Sequence, residues 1–302
     1  MEAKSSWRFE EGAEIAPGRH SVRLLGGGRR YEAYLAWDDT LYSLVAVKIL
    51  RPGLAADAST QAALAGEARA LAALNHPAIV RSFHAVLDGD RPHLVLEFLD
   101  GPRLSTLVRR YGLVLEQLLP LALEVCSALH YMSAKRFVHL DVKPRNIIMS
   151  GPPRLIDLSV ATSVDDIASI KTPTGTDAYM APEQCDPERF SEIGAPSDVW
   201  GLGVTLYEAI ARSLPFPVPA EDSSASRVRY PQLAAEPQPL PWDTPEPIAR
   251  AVLACLEKLP EDRPSAAELA ETLEPVVAEL PRARLGLFRP GGRIRTSAFD
   301  IG

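Results

Sequence analysis

Short apolar runs with strand character dominate the first hundred residues. "SVRLL" (21–25), "RYEAYLAWD" (30–38), "YSLVAVKIL" (42–50) and "HLVLEFL" (93–99) are rich in β-formers and are parted by glycine or acidic turns. One helix interrupts them. Between 61 and 74, Leu64, Ala68, Leu71 and Leu74 recur at helical spacing, and Asn75, His76 and Pro77 end the run. After "DGP" at 100–102 the period changes to that of helices. "LSTLVRRYG" and "LEQLLPLALEVCSALHYMSAK" come first, then "PSDVWGLGVTLYEAIARS", "PEPIARAVLACLEKL" and "SAAELAETLEPVVAEL". Strands followed by helices predict an α+β chain. We expect a small β-rich lobe over 1–97, a hinge near 97–101, a larger helical lobe over 98–281 and a basic, flexible tail over 282–302. Prolines crowd the stretch from Pro215 to Pro247, which predicts a long surface loop.

Composition alters this picture little. A chain that is 46% hydrophobic can build a core without a disulfide or metal staple. Cys126, Cys185 and Cys255 are odd in number and far apart, which predicts reduced thiols and a cytoplasmic setting. The opening "MEAKSSWRFEEGAE" lacks the apolar core of a secretory signal, and no run reaches the ~18 apolar residues of a membrane span. The net charge of −7 argues against nucleic acid as partner. It is uneven: residues 281–302 carry five arginines against Asp300, a net +4, which leaves −11 elsewhere. A solvated, frayed end accounts for such a tail.

Charged residues inside apolar patterns change the picture most. Lys48 closes the run "VAVK", and Glu67 lies on the apolar stripe of its helix with residues 64, 71 and 74. A buried charge is costly unless paired, so the two can solve the problem together. Before them, Gly26 and Gly28 in "LLGGGRRYEAYLA" can let backbone N–H groups approach phosphates, although a plain hairpin turn fits as well. "FVHLDVKPRNIIM" (137–149) sets Asp141, Lys143 and Asn146 between apolar anchors, in the order H-x-D-x-K-P-x-N. "LIDLS" then reads as an apolar strand ending in Asp157. Asn146 and Asp157 are hard oxygen ligands suited to magnesium. A carboxylate to orient a hydroxyl and a lysine near a moving phosphate suit phosphoryl transfer.

With "GTDAYMAPE", "SDVWGLG" and "EDRP" following in order, the chain resembles eukaryotic-like (Hanks-type) serine/threonine protein kinases of the bacterial kind, over roughly 19–280. The resemblance implies a bilobal protein-kinase fold and the cofactors ATP and Mg²⁺, with Mn²⁺ as a substitute. It implies that Lys48 holds the α- and β-phosphates and that Glu67 fixes Lys48. Asp141 would accept the substrate hydroxyl's proton, Lys143 would neutralise the γ-phosphate, and Asn146 and Asp157 would bind the metal. Leu25, Ala33, Ala46 and Ile148 would sandwich the adenine. Leu96 would be the gatekeeper, and the backbone at Glu97 and Leu99 would bond the base edge. Thr176 would bridge Asp141 and Lys143, with Thr172 and Thr174 in the activation segment. Asp198 would brace the loop of Asp141, unless it is simply an acid at a helix N-terminus. Glu183 and Arg263 would form an internal ion pair. Protein substrates are implied, as is a homodimer for autophosphorylation, with Thr296 and Ser297 as candidate acceptors.

Four positions depart from the family pattern. Leu140 replaces the arginine that reads an activation-segment phosphate, so activity is expected to depend little on phosphorylation of Thr172 or Thr174. Tyr31 stands in place of the third loop glycine, which predicts a phosphate cradle that survives with a stiffer or repositioned tip. Leu158 and Ser159 follow Asp157 in place of Phe and Gly. Leu158 is expected to pack inward, and Ser159 to hinder a flip of Asp157. Two rivals share parts of the pattern. A pseudokinase would keep the fold as a scaffold or nucleotide switch. A small-molecule phosphotransferase shares H-x-D-x-x-x-x-N but lacks a "GTDAYMAPE" platform.

Overall fold

Period-2 alternation organises the small lobe. The computed structural model describes residues 6–187, 193–220 and 226–280. Strands β1 (Glu14–Ala16), β2 (Arg19–Gly27), β3 (Tyr31–Asp38) and β4 (Ser43–Leu50) precede helix α1 (Ala58–Ala73), and β5 (Ser82–Val86) and β6 (His93–Glu97) follow it. They form one antiparallel sheet in the order β1-β2-β3-β4-β6-β5. Successive side chains of a strand point to opposite faces. On β4, Val45, Val47 and Ile49 join Ile15, Tyr34, Ala36 and Val95 in a buried cluster covered by Trp7 and Phe9. The alternate residues Ala46 and Lys48 therefore face the other way and line the large cleft. Ala33 pairs with Lys48 and Tyr31 with Leu50, so Tyr31 and Ala33 share the cleft face.

Helix α1 starts three residues before the expected point, because Asp57 caps it by accepting from the backbone N–H of Thr60 at 2.8 Å. Leu64, Glu67, Ala70 and Leu71 form its buried stripe. Strands β1 and β5 were not legible. Three residues are too few for a periodic signal, and "SFHAV" is mostly exposed on the sheet's edge.

The large lobe is helical: α2 (Leu104–Arg110) and α3 (Leu115–Ala134) precede the short strands β7 (Phe137–Val138), β8 (Ile147–Met149), β9 (Pro153–Leu155) and β10 (Thr162–Ser163). Helices α4 (Pro182–Cys185), α5 (Ala195–Ala211), α6 (Ser226–Arg229), α7 (Glu246–Ala254) and α8 (Ala266–Glu279) complete it. The strand expected to end at Asp157 stops at Leu155. Asp157 itself has φ 64°, a left-handed conformation that cannot continue a ladder. Helix α5 is the lobe's buried axis, with Trp200 stacked on Phe216 at 5.5 Å. A Cβ at Gly201 would stand 2.9 Å from the Val142 carbonyl, so glycine lets α5 approach the loop that carries Asp141. Helix α7 ends at Ala254, five residues short of the expected end, and Cys255 caps it from the core. Cys126, Cys185 and Cys255 are all buried and unpaired. Among the described residues, no helix is long and apolar enough to cross a membrane. The basic tail, with Thr296 and Ser297, lies outside the described residues.

Candidate active site

A cleft of about 600 Å³ separates sheet from helices. Leu25, Gly26, Gly28, Ala33, Ala46 and Leu96 line it from the sheet, Glu97 and Leu99 from the connecting segment, and Asn146, Ile148 and Asp157 from the large lobe. Every residue assigned above to a nucleotide or metal thus borders one cavity.

At its inner end Lys48 is fully engaged. Its Nζ donates to both oxygens of Glu67 at 2.7 Å and to Oδ1 of Asp157 at 2.8 Å. An ammonium has three donors, and these contacts use all three. Leu158 is wholly buried beside this pair. Burial works against the Lys48 ammonium, but Glu67 and Asp157 outweigh it and hold the group protonated, above the ordinary lysine value. Burial likewise opposes the Asp157 carboxylate. The Lys48 charge and hydrogen bonds from Lys48, Tyr31 and Ser159 prevail, and Asp157 sits below the usual carboxylate range.

The second oxygen of Asp157 has a partner that the sequence did not announce. Tyr31 turns its side chain inward and donates its hydroxyl to Asp157 Oδ2 at 2.7 Å. Its ring centroid lies 3.9 Å from Lys48 Nζ. Burial raises the phenol's pKa above its ordinary value, so it stays a donor at neutral pH. The glycine tip is also tied down. Gly28 N–H donates to the Tyr31 carbonyl at 2.9 Å, and Arg51 Nε donates to the Gly28 carbonyl at 3.0 Å. The expectation that Gly28 aims its N–H at a ligand is corrected, since that donor closes the hairpin.

Nearby, Asp141 is surrounded by donors. Thr176 Oγ1 donates to its Oδ1 at 2.7 Å and Lys143 Nζ to its Oδ2 at 2.6 Å. Lys143 also donates to Thr176 Oγ1, so Thr176 bridges the two. Asn146 Nδ2 donates to the carbonyl and to Oδ2 of Asp141, both at 2.9 Å. That leaves the Asn146 carbonyl oxygen as the acceptor of a cleft-lining side chain.

The loop at 139–146 is held from beneath. The buried Asp198, in the first turn of α5, accepts the backbone N–H groups of His139 and Leu140, each at 2.7 Å. Burial raises its pKa. Leu140 has φ 62°, costly for a branched side chain, and Gln184 Nε2 holds its carbonyl at 2.9 Å. The same Gln184 group donates to the Thr174 carbonyl at 2.8 Å. Gln184 carried no signal in the sequence beyond following "APE". The Leu140 side chain packs with Val138 and Ile193 against Val160, Ile167 and Ile170. Thr172 is exposed and Thr174 Oγ1 bonds only the Thr172 carbonyl at 3.0 Å among the contacts described, so neither borders the cleft.

Glu183 and Arg263 form a separate pair with no side-chain exposure, at 2.7 Å and 2.9 Å. The arginine's remaining donors reach the carbonyls of Glu257, Pro196 and Lys258, and Ser197 Oγ donates to Glu183.

Among the described residues, no three His, Cys, Asp or Glu side chains cluster as a ready-made metal cage. Asp157 and the Asn146 amide oxygen are two hard donors on one cleft wall. This set fits a magnesium ion that takes its other ligands from phosphates and water.

Comparison with known proteins agrees with this geometry. Residues 19–273 match the family model described as the protein kinase domain. The chain is 35% identical over 265 residues to the serine/threonine-protein kinase PknB of Mycobacterium leprae, an alignment that covers 83% of this chain and 41% of that protein. It is 35% identical over 251 residues to the serine/threonine-protein kinase PkaA of Streptomyces coelicolor, covering 78% of this chain and 43% of the relative. The chain thus spans less than half the length of these curated relatives.

Proposed function

The chain belongs to the protein kinase family, and from that premise we propose that it transfers the γ-phosphoryl group of ATP to serine and threonine hydroxyls of proteins. The observation that carries the reading is the juxtaposition of two bonded groups at one cleft. Lys48, Glu67 and Asp157 are joined within 2.8 Å, and Asp141 is joined to Lys143, Asn146 and Thr176 within 2.9 Å, with Lys143, Asn146 and Asp157 all lining the cleft. In this reading the lobes are residues 1–97 and 98–281, the nucleotide is held between them, and the second also presents the acceptor.

Each residue has a role. Leu25, Ala33, Ala46 and Ile148 hold the adenine, Leu96 closes the pocket's rear, and the backbone of Glu97 and Leu99 bonds the base edge. Lys48 holds the α- and β-phosphates. Asn146 and Asp157 would hold Mg²⁺, which would draw charge off the phosphate oxygens when bound. Asp141 takes the proton as the substrate oxygen bonds phosphorus and the bond to the β-phosphate breaks. Lys143 balances charge on the moving group. Thr176, bonded to both Asp141 and Lys143, orients that pair and forms part of the platform for the acceptor.

The catalytic loop is of the kind that lacks the arginine before Asp141. The apolar cluster of Leu140 with Val160, Ile167 and Ile170 supports activity independent of activation-segment phosphate, since those contacts order the segment without charge. Autophosphorylation within a homodimer belongs to the same proposal, as does a cytosolic setting, which the three buried thiols support.

Single-turnover transfer from labelled ATP to a generic protein substrate tests the reading. Asp141→Asn is expected to slow transfer by about 10²–10⁴-fold, the usual worth of a positioned general base. Equal rates for wild type and variant would sink it. A second reading, a nucleotide-sensing pseudokinase, draws on the Tyr31 side chain beside Lys48 and Asp157. Nucleotide binding with no transfer from the wild type would favour it.

A further inference from the structure

The phosphate end of the cleft is already filled by a side chain of this protein. The Tyr31 hydroxyl takes Asp157 Oδ2 at 2.7 Å while Lys48 takes Oδ1 at 2.8 Å, so both carboxylate oxygens are bonded. All three protons of the Lys48 ammonium are bonded, and its face is covered by the Tyr31 ring at 3.9 Å. A Cβ on Gly28 would stand 3.6 Å from that ring, which places the ring beside the glycine tip. Lys48 and Asp157, two of the groups meant for phosphate and metal, are thus engaged from within.

We propose that Tyr31 is an internal competitor for the phosphate and metal half of the nucleotide site, and that it makes the cleft discriminate between a bare nucleoside and a metal-bound nucleotide. The inference rests on the nucleotide-binding reading above. An anion cannot reach Lys48 until the ring leaves, and a metal cannot take Asp157 Oδ2 until the hydroxyl lets go. Leu25, Ala46, Leu96 and Ile148, assigned above to the adenine, line the same cleft, and the Tyr31 contacts described go to Asp157 and Lys48 rather than to them. Strand register explains why this residue does it. Tyr31 opens β3 on the face of Ala33, the direct partner of Lys48, so a long side chain there reaches the ammonium. Glycine at the same place would leave the ammonium uncovered. In the resting protein Tyr31 also has a positioning role, because it holds Asp157 against Lys48 without a metal.

Calorimetric titration of the whole chain separates the two halves of the site. Adenosine and a non-hydrolysable ATP analogue with Mg²⁺ are each titrated into wild type, Tyr31→Phe and Tyr31→Ser, with thermal unfolding as a check on folding. Tyr31→Ser is expected to bind the magnesium analogue about tenfold more tightly, equivalent to ~1.4 kcal/mol, with adenosine changed less than about twofold. Tyr31→Phe keeps the ring and loses the hydroxyl, so its gain is expected to be about threefold, roughly 0.7 kcal/mol. Unchanged or weaker analogue binding in both folded variants overturns the proposal. So does a complex with magnesium analogue in which the Tyr31 hydroxyl still bonds Asp157. Failure of both ligands to bind any of the three proteins overturns the nucleotide reading itself, and this inference with it.

Discussion

Two buried ion pairs, one in each lobe, use the same chemistry to opposite ends. Glu183 and Arg263 have no side-chain exposure, and all five guanidinium N–H groups meet protein oxygens. Nothing from outside can enter that set. Lys48 and Glu67 are nearly as buried, but their third member, Asp157, keeps 22% of its side chain exposed and borders a cleft of about 600 Å³. Saturation by the fold itself makes a staple. Saturation by a movable side chain, here Tyr31, makes a site whose partners can be exchanged.

The contrast yields an ordered set of expectations. Arg263→Ala should cost most, about 3–5 kcal/mol by denaturant unfolding, because it strands a carboxylate with no route to water. Lys48→Ala should cost less, about 1–3 kcal/mol, because the cleft lets water reach Glu67 and Asp157, while transfer falls by at least about 10². Comparable losses of stability would show that both pairs are structural. Replacing the closed pair together, Glu183→Leu with Arg263→Met, should change stability by only about 1 kcal/mol, since an apolar pair of similar volume removes the desolvation cost too. Thr172→Ala and Thr174→Ala should do least, within about 0.5 kcal/mol of stability and within roughly threefold in single-turnover rate, ~0.7 kcal/mol of barrier. A hundredfold loss there would show that the apolar cluster at Leu140 does not order the segment.

Much of this contrast was legible in the chain. Lys48 at the close of an apolar run and Glu67 on the apolar stripe of its helix pointed to the open pair, because two buried charges offset each other's cost. The order H-x-D-x-K-P-x-N set Asp141, Lys143 and Asn146 together, while Thr176 as the bridge came from the family resemblance and the bond from Asn146 to Asp141 was not foreseen. Less visible features share a cause: they depend on where one side chain goes rather than on a period. Tyr31 could be read as a lost glycine, not as a phenol aimed at Asp157, because its rotamer is set by packing that spans 126 residues of sequence. The end of β9 at Leu155 turns on one positive φ. Gln184 acts through backbone carbonyls at Leu140 and Thr174, and no residue type advertises a carbonyl partner.

Asp198 has a consequence for motion. Its two oxygens grip consecutive amides, His139 and Leu140, from within a helix that Gly201 brings against Val142. A segment clamped at adjacent links cannot slide by one residue without abandoning both. The loop that carries Asp141 is therefore tied to α5 at two adjacent links and can shift only as that helix does.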